Sequence, residues 1–162
     1  MANILEMRAI NTSLITPKKV AVGDWIDVRA SSIEHDGNIY CLEDYHDKGW
    51  LPPCNEPFKI NLGFSLKMTE GYEGWLLPRS SSFKTWGFIT TNSMGIIDNS
   101  YCGNDDELGL CCYCLKPNQP IRFMDRVGQF RIMPSQGEVV IIEVLQQSAK
   151  TNRGGFGSTG TK

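Results

Sequence analysis

A chain of 162 residues with 41% hydrophobic and 21% charged side chains is long enough to close a sizeable core and fits one globular domain. Its formal net charge of −2 excludes a sequence-independent DNA or RNA binder, which needs a broad basic surface, yet leaves room for a few arginines converging on a small anion. The start MANILEMRAI has no signal-peptide pattern and no apolar run approaches a membrane span, so a cytoplasmic protein is expected, with no membrane partner.

The first polar island along the chain is GDWIDVRA, residues 23–30. Residues 31–57 follow, with both histidines, many acidic groups and three prolines. They read as a long surface insertion rather than core strands, a candidate contact for a protein partner. FKINLGFSLKM, residues 58–68, has the clearest period: Phe58, Ile60, Leu62, Phe64, Leu66 and Met68 alternate with Lys59, Asn61, Gly63, Ser65 and Lys67. A period of two predicts a half-buried strand, bent at Gly63. The turn EGYEG leads into Trp75-Leu76-Leu77, and GFITTN, LGLCCYCL, RVGQFRIM and EVVIIEV are further strand-like runs separated by Gly, Pro, Asn and Asp. No window has a sustained helical period with caps. The expected class is all-β, a barrel or sandwich with at most a short helix.

The six cysteines, without a secretory signal, read as reduced thiols. In LGLCCYCL the alternation places Cys112 and Cys114 in the core, opposite to Cys111 and Tyr113. Cys41, His46 and Cys54 come nearest to a zinc pattern, but no clean ligand pair lies among them.

Five polar islands separate the apolar runs: GDWIDVRA, PRSSS, TNSMGIIDNSYCG, DRVGQF and RGGFGSTG. Singly, each suits a turn or loop. Together, Arg79, Arg126 and Arg153 supply guanidinium forks for phosphate oxygens, and Ser80, Ser81, Ser158 and Thr159 supply hydroxyl donors. The glycines of 154–160 let backbone N–H groups approach an anion. Neither G-x-x-x-x-G-K-[ST] nor G-x-G-x-x-G after a strand is present, so a phosphate site here must be of another type.

In this order and spacing the islands resemble the five motifs of the trimeric all-β dUTPases (deoxyuridine triphosphate nucleotidohydrolases), closest to phage and prophage members. GIIDNSYCG and RGGFGSTG are the most specific pieces. The resemblance implies a distorted β-barrel or jelly-roll over 1–151, a mobile glycine-rich lid over 152–162, and a homotrimer with sites at subunit interfaces. It implies hydrolysis of dUTP to dUMP and pyrophosphate, assisted by Mg²⁺, in a bacterial or phage-infected cell. That reaction keeps uracil out of DNA and supplies dUMP.

By position, Asp98 matches the carboxylate that activates the attacking water, and Gln129 a glutamine contacting phosphate or that water. Tyr101 matches the ring against the deoxyribose. Asn92, with the hairpin backbone through Gly95 and Ile97, matches the reader of the uracil edge. Arg79, Ser80 and Ser81 match the holders of the α- and β-phosphates, and Asp27 the aspartate reaching Mg²⁺ through water. In the lid, Arg153 would meet the terminal phosphate and Phe156 stack on uracil, while Gly157, Ser158 and Thr159 wrap the phosphate chain. Arg126 looks like a structural or interface ion pair.

Three departures stand out. Trp25 replaces the usual Gly two residues before the first aspartate, Ser100 replaces a second acidic residue, and NDDE intervenes after Gly103. Two rival functions remain open. A dCTP deaminase, or a bifunctional enzyme, would need Glu107 as its base. A nucleotide-gated regulatory protein would use residues 31–57.

Overall fold

The computed structural model describes residues 5–19 and 21–145. The predicted strand over 58–68 forms and breaks where the glycine stands: β5 spans Pro57–Asn61 and β6 spans Phe64–Met68. Gly63 sits between them at φ +77, with the site of a Cβ only 2.9 Å from the Ser31 side chain. Only glycine takes that left-handed turn in that space without strain. The bend sends the two halves into different sheets. β6 pairs antiparallel with β1 (Leu5–Ala9), whereas β5 enters a five-stranded sheet. The alternating apolar residues from Phe58 to Met68 are all buried.

The five-stranded sheet has the order β4-β3-β5-β10-β8, with β3 at Ser32–His35, β4 at Asn38–Cys41, β8 at Phe88–Thr90 and β10 at Gly109–Cys114. The four-stranded sheet runs β2-β11-β7-β9, with β2 at Ile26–Arg29, β7 at Tyr72–Pro78, β9 at Gly95–Ile97 and β11 at Arg126–Pro134. The sheets enclose one core without closing into a continuous barrel, a distorted jelly-roll. The one α-helix among the described residues, the short α1 (Ser82–Trp86), links β7 to β8 and ends on the left-handed Gly87. Cys112 and Cys114 are core residues and Cys111 is exposed, as the alternation requires; burial pushes the Cys112 thiol pKa well up. No helix among the described residues is long and apolar enough to cross a membrane.

Two expectations are corrected. Residues 31–57 are not a surface insertion. They contribute β3, β4 and a 3-10 turn over Leu42–Lys48, and β3 pairs directly with β5. Ile33 and Leu42 are fully buried, each worth about 2 kcal/mol of apolar transfer. Tyr40 and Trp50 continue a run of ring contacts through Phe58 to Phe88, at centroid separations of 6.1, 5.3 and 5.9 Å. Backbone bonds in both directions between Trp50 and Ile121, each 2.8 Å, pin the segment to the far side of the core. Apart from the buried Ser31, its polar residues are exposed or half-buried.

EVVIIEV forms no strand. Val139, Val140, Ile141, Ile142 and Val144 are 52 to 91% exposed. A β-branched run that is apolar on both faces needs cover on both faces, and no sheet edge among the described residues pairs with it.

Candidate active site

Two groups of site residues form around the four-stranded sheet. Asp27 on β2 lies opposite Gln129 on β11, which in turn lies opposite Leu77 on β7. Arg79 and Ser80 follow directly as β7 ends. Asp27 accepts from Arg126 Nη1 at 3.1 Å and pairs with Arg79 Nε at 3.3 Å. Its side chain is only 16% exposed, so neither guanidinium is fully screened from it. Arg126 thus forms an ion pair with Asp27, and the same carboxylate holds the guanidinium of Arg79. Asp27, Arg79, Ser80, Arg126 and Gln129 line an open cleft of about 350 Å³ whose remaining wall is Val22, Gly23, Asp24 and Trp25. Trp25, the departure from the family pattern, is held by the Arg131 guanidinium 5.8 Å above its ring.

The structure sorts the serines of PRSSS. Ser80 and Ser81 are exposed beside the cleft. Ser82 is buried, donates its hydroxyl to Val127 O at 3.1 Å and its N–H to Arg79 O at 2.9 Å. Ser82 is therefore the clamp that fixes Arg79 against β11.

The second group lies on β9, across β7 from the first. β9 pairs with β7 through Leu76↔Gly95 and Gly74↔Ile97, and it is the last strand of its sheet. Its outer edge offers backbone donors and acceptors. The turn before it is tight: Met94 N–H bonds Asn92 O at 2.6 Å, and Ser93 takes φ 59. The Asn92 amide lies beside Gly95, 3.9 Å from the place a Cβ would take.

Asp98, exposed at the end of β9, is braced by its own loop. Its Oδ1 accepts the Ser100 N–H at 2.7 Å and a short bond from the Ser100 hydroxyl. Both Ser100 bonds fall on Oδ1, and the Tyr101 backbone N–H also faces the carboxyl. The Ser100 hydroxyl, then its N–H, hold the Asp98 carboxyl below the usual carboxylate range. Asn99 anchors the loop from below by donating to Thr69 O at 2.8 Å and Met68 O at 3.3 Å. Tyr101 is 39% exposed, and its hydroxyl donates to Glu107 O at 3.1 Å. Burial, with Asp106 and Glu107 nearby, raises its pKa and keeps it a donor.

Glu107, the base required by a deaminase, is engaged elsewhere: its Oε1 accepts the Gly63 N–H at 2.6 Å, and burial pushes its carboxyl up. The cleft holding Arg79 contains none of residues 92–101, so one chain brings the phosphate-type and base-type groups to opposite sides of β7 without joining them. Arg153, Phe156, Gly157, Ser158 and Thr159 lie outside the described residues.

No protein-family model matches the chain. It is 41% identical over 145 residues, 89% of each chain, to the SPbeta prophage-derived deoxyuridine 5'-triphosphate nucleotidohydrolase YosS of Bacillus subtilis (strain 168). The fold is similar to that of a Staphylococcus bacteriophage 80alpha dUTPase mutant with dUpNHpp, at TM-score 0.72 and 16% identity over 98% of this chain and 99% of that one. A mutant dUTPase from phage phi11 of S. aureus, described for its coordination of a structural Mg(II) ion, superposes at TM-score 0.67 and 15% identity, over 90% of this chain and 99% of that one. The chain belongs to the deoxyuridine 5'-triphosphate nucleotidohydrolase family.

Proposed function

We propose that this protein hydrolyses dUTP to dUMP and pyrophosphate as a homotrimer whose sites lie between subunits. Beyond family membership, the observation that supports this most is the end of β9, a free strand edge running into an ionised, braced carboxylate. The edge from Asn92 to Ile97 presents fixed donors and acceptors to uracil, and leaves no space for a 5-methyl group. Tyr101 lies against the deoxyribose. Asp98 accepts a proton from the attacking water through Oδ2, while Ser100 holds Oδ1 still. Arg79, held by Asp27, receives the phosphates with Ser80 and Ser81, and Gln129 contacts phosphate or the water.

Among the described residues no cluster of three His, Cys, Asp or Glu could cage a metal. Asp27 is the carboxylate that would face Mg²⁺ through water, but its two oxygens are paired with Arg79 and Arg126, so the ion would be held chiefly by triphosphate oxygens and its own waters. The ion, when bound, neutralises charge at the α-phosphorus and on the leaving pyrophosphate.

Subunit interfaces are supported by the separation of the two half-sites across β7. They are supported again by the exposed run Val139–Val144, which needs cover that the described residues do not give. The decisive measurement incubates the protein with Mg²⁺ and each deoxynucleoside triphosphate, following pyrophosphate and ammonia, with light scattering for mass. Pyrophosphate from dUTP alone and three chain masses are expected. Ammonia from dCTP would replace the hydrolase with a deaminase, tight binding without turnover would replace it with a regulator, and a monomeric mass would remove the shared sites.

Ser100→Ala should shift the pH profile. The lowered Asp98 pKa keeps the base ionised as pH falls, so the acidic limb of kcat lies below the ordinary carboxylate range. Removing the hydroxyl moves that limb to higher pH, and Ser100→Thr moves it back. An unmoved limb in Ser100→Ala would separate Ser100 from the base.

A further inference from the structure

After Gly103 the chain inserts Asn104–Glu107, and the last of these residues joins two places far apart in sequence. The Glu107 carboxylate accepts the Gly63 N–H at 2.6 Å, at the bend between β5 and β6. Its backbone carbonyl accepts the Tyr101 hydroxyl at 3.1 Å. The intervening loop has little slack. Glu107 N–H bonds Asp105 O at 2.9 Å, Gly103 N–H bonds the Asp106 carboxylate at 2.6 Å, and Leu108 N–H bonds Phe64 O at 3.0 Å. The bond to Gly63 is charge-assisted and fixes the partly buried Glu107 against a backbone position that is itself fixed.

A wall of one aromatic ring rejects an added oxygen by overlap only while the ring cannot retreat. Tyr101, 39% exposed, would be free to swing outward without a tether at its hydroxyl. We propose that Glu107 is the positioning residue for sugar discrimination: its carboxylate clamps the loop whose carbonyl tethers Tyr101, which keeps the ring in place against a 2′-hydroxyl. This rests on the reading of Tyr101 as the ring facing the deoxyribose.

The experiment compares kcat/KM for dUTP and UTP in the purified protein with Mg²⁺, in wild type, Glu107→Ala, Glu107→Gln and Tyr101→Phe. Glu107→Ala and Tyr101→Phe are expected to lower the dUTP/UTP ratio by about tenfold, the scale of one lost pocket constraint, chiefly by raising turnover of UTP. Glu107→Gln keeps an acceptor for the Gly63 N–H and should restore the ratio. A merely structural glutamate would lower thermal stability and depress both substrates equally, leaving the ratio at the wild-type value, and that result overturns the proposal. Should Glu107→Ala fail to fold, Glu107→Asp, too short to keep the bond to the Gly63 N–H, takes its place, and an unchanged ratio in it or in Tyr101→Phe overturns the proposal. A wild-type protein inert toward dUTP would instead overturn the underlying hydrolase reading.

Discussion

Asp98→Asn is expected to bind dUTP much as the wild type does and to turn it over about two to four orders of magnitude more slowly, the usual worth of a positioned general base. The argument is geometric. Asparagine keeps an oxygen able to accept from Ser100 N–H and hydroxyl, which both fall on Oδ1 in the native chain. The amide that replaces Oδ2 can donate a hydrogen bond but cannot take a proton from water. Loop position is also preserved, because Asn99 holds the loop to Thr69 O and Met68 O independently of residue 98. Single-turnover rates and equilibrium binding of a non-hydrolysable dUTP analogue check the two halves separately. Near-normal turnover would remove Asp98 from the base role. Weakened binding alone would make it a substrate ligand.

Gly87→Ala should be the most damaging single methyl in the described fold. Gly87 closes α1 at φ +79, donating its N–H to Phe83 O at 2.9 Å while its carbonyl accepts from Leu115 N–H at 2.9 Å. A Cβ there would lie 1.5 Å from the Lys116 carbonyl oxygen and 2.5 Å from its carbon. Both neighbours are backbone of the segment that leaves β10, so no side chain can rotate away. Positive-φ strain and the collision together should cost about 4 kcal/mol or more, lowering Tm by roughly 10 °C. Gly37→Ala isolates the positive-φ strain: that glycine has φ +72 with open space around it, so only about 1 kcal/mol is expected. Denaturant titrations placing the two variants together would show that the Lys116 backbone yields.

Much of this was legible in sequence. The period of two from Phe58 to Met68, the bend at Gly63 and the inward Cys112 and Cys114 follow from side-chain alternation, a local property. Residues 31–57 did not read as core because Ile33, Leu42 and Trp50 are scattered among acids and prolines, without a period. Their burial comes from β5 and Ile121, partners supplied by the fold. EVVIIEV was legible as apolar and β-branched, but pairing is a property of a partner, and this chain's described sheets provide none.

The site divides in the same way. Asp98, Arg79 and Gln129 stand in recognisable motifs, whereas their supports are visible only in three dimensions. Ser100 looked like a missing acid and is a brace. Asn99 carried no signal, because the carbonyls it caps belong to the β6–β7 turn. Asp27, expected to face a metal through water, has its carboxylate between two arginines.

The placement of β7 between the two half-sites has a consequence for damage. In the proposed trimer a chain lends its arginine cleft to one site and its β9 carboxylate to another. A lesion at Asp98 would then leave that chain's own phosphate cleft serving a healthy neighbour, and a lesion at Arg79 would do the reverse. Two chains, each useless in a pure population, could between them assemble a working site. Heredity of function in such an enzyme belongs to the seam between subunits rather than to any one polypeptide.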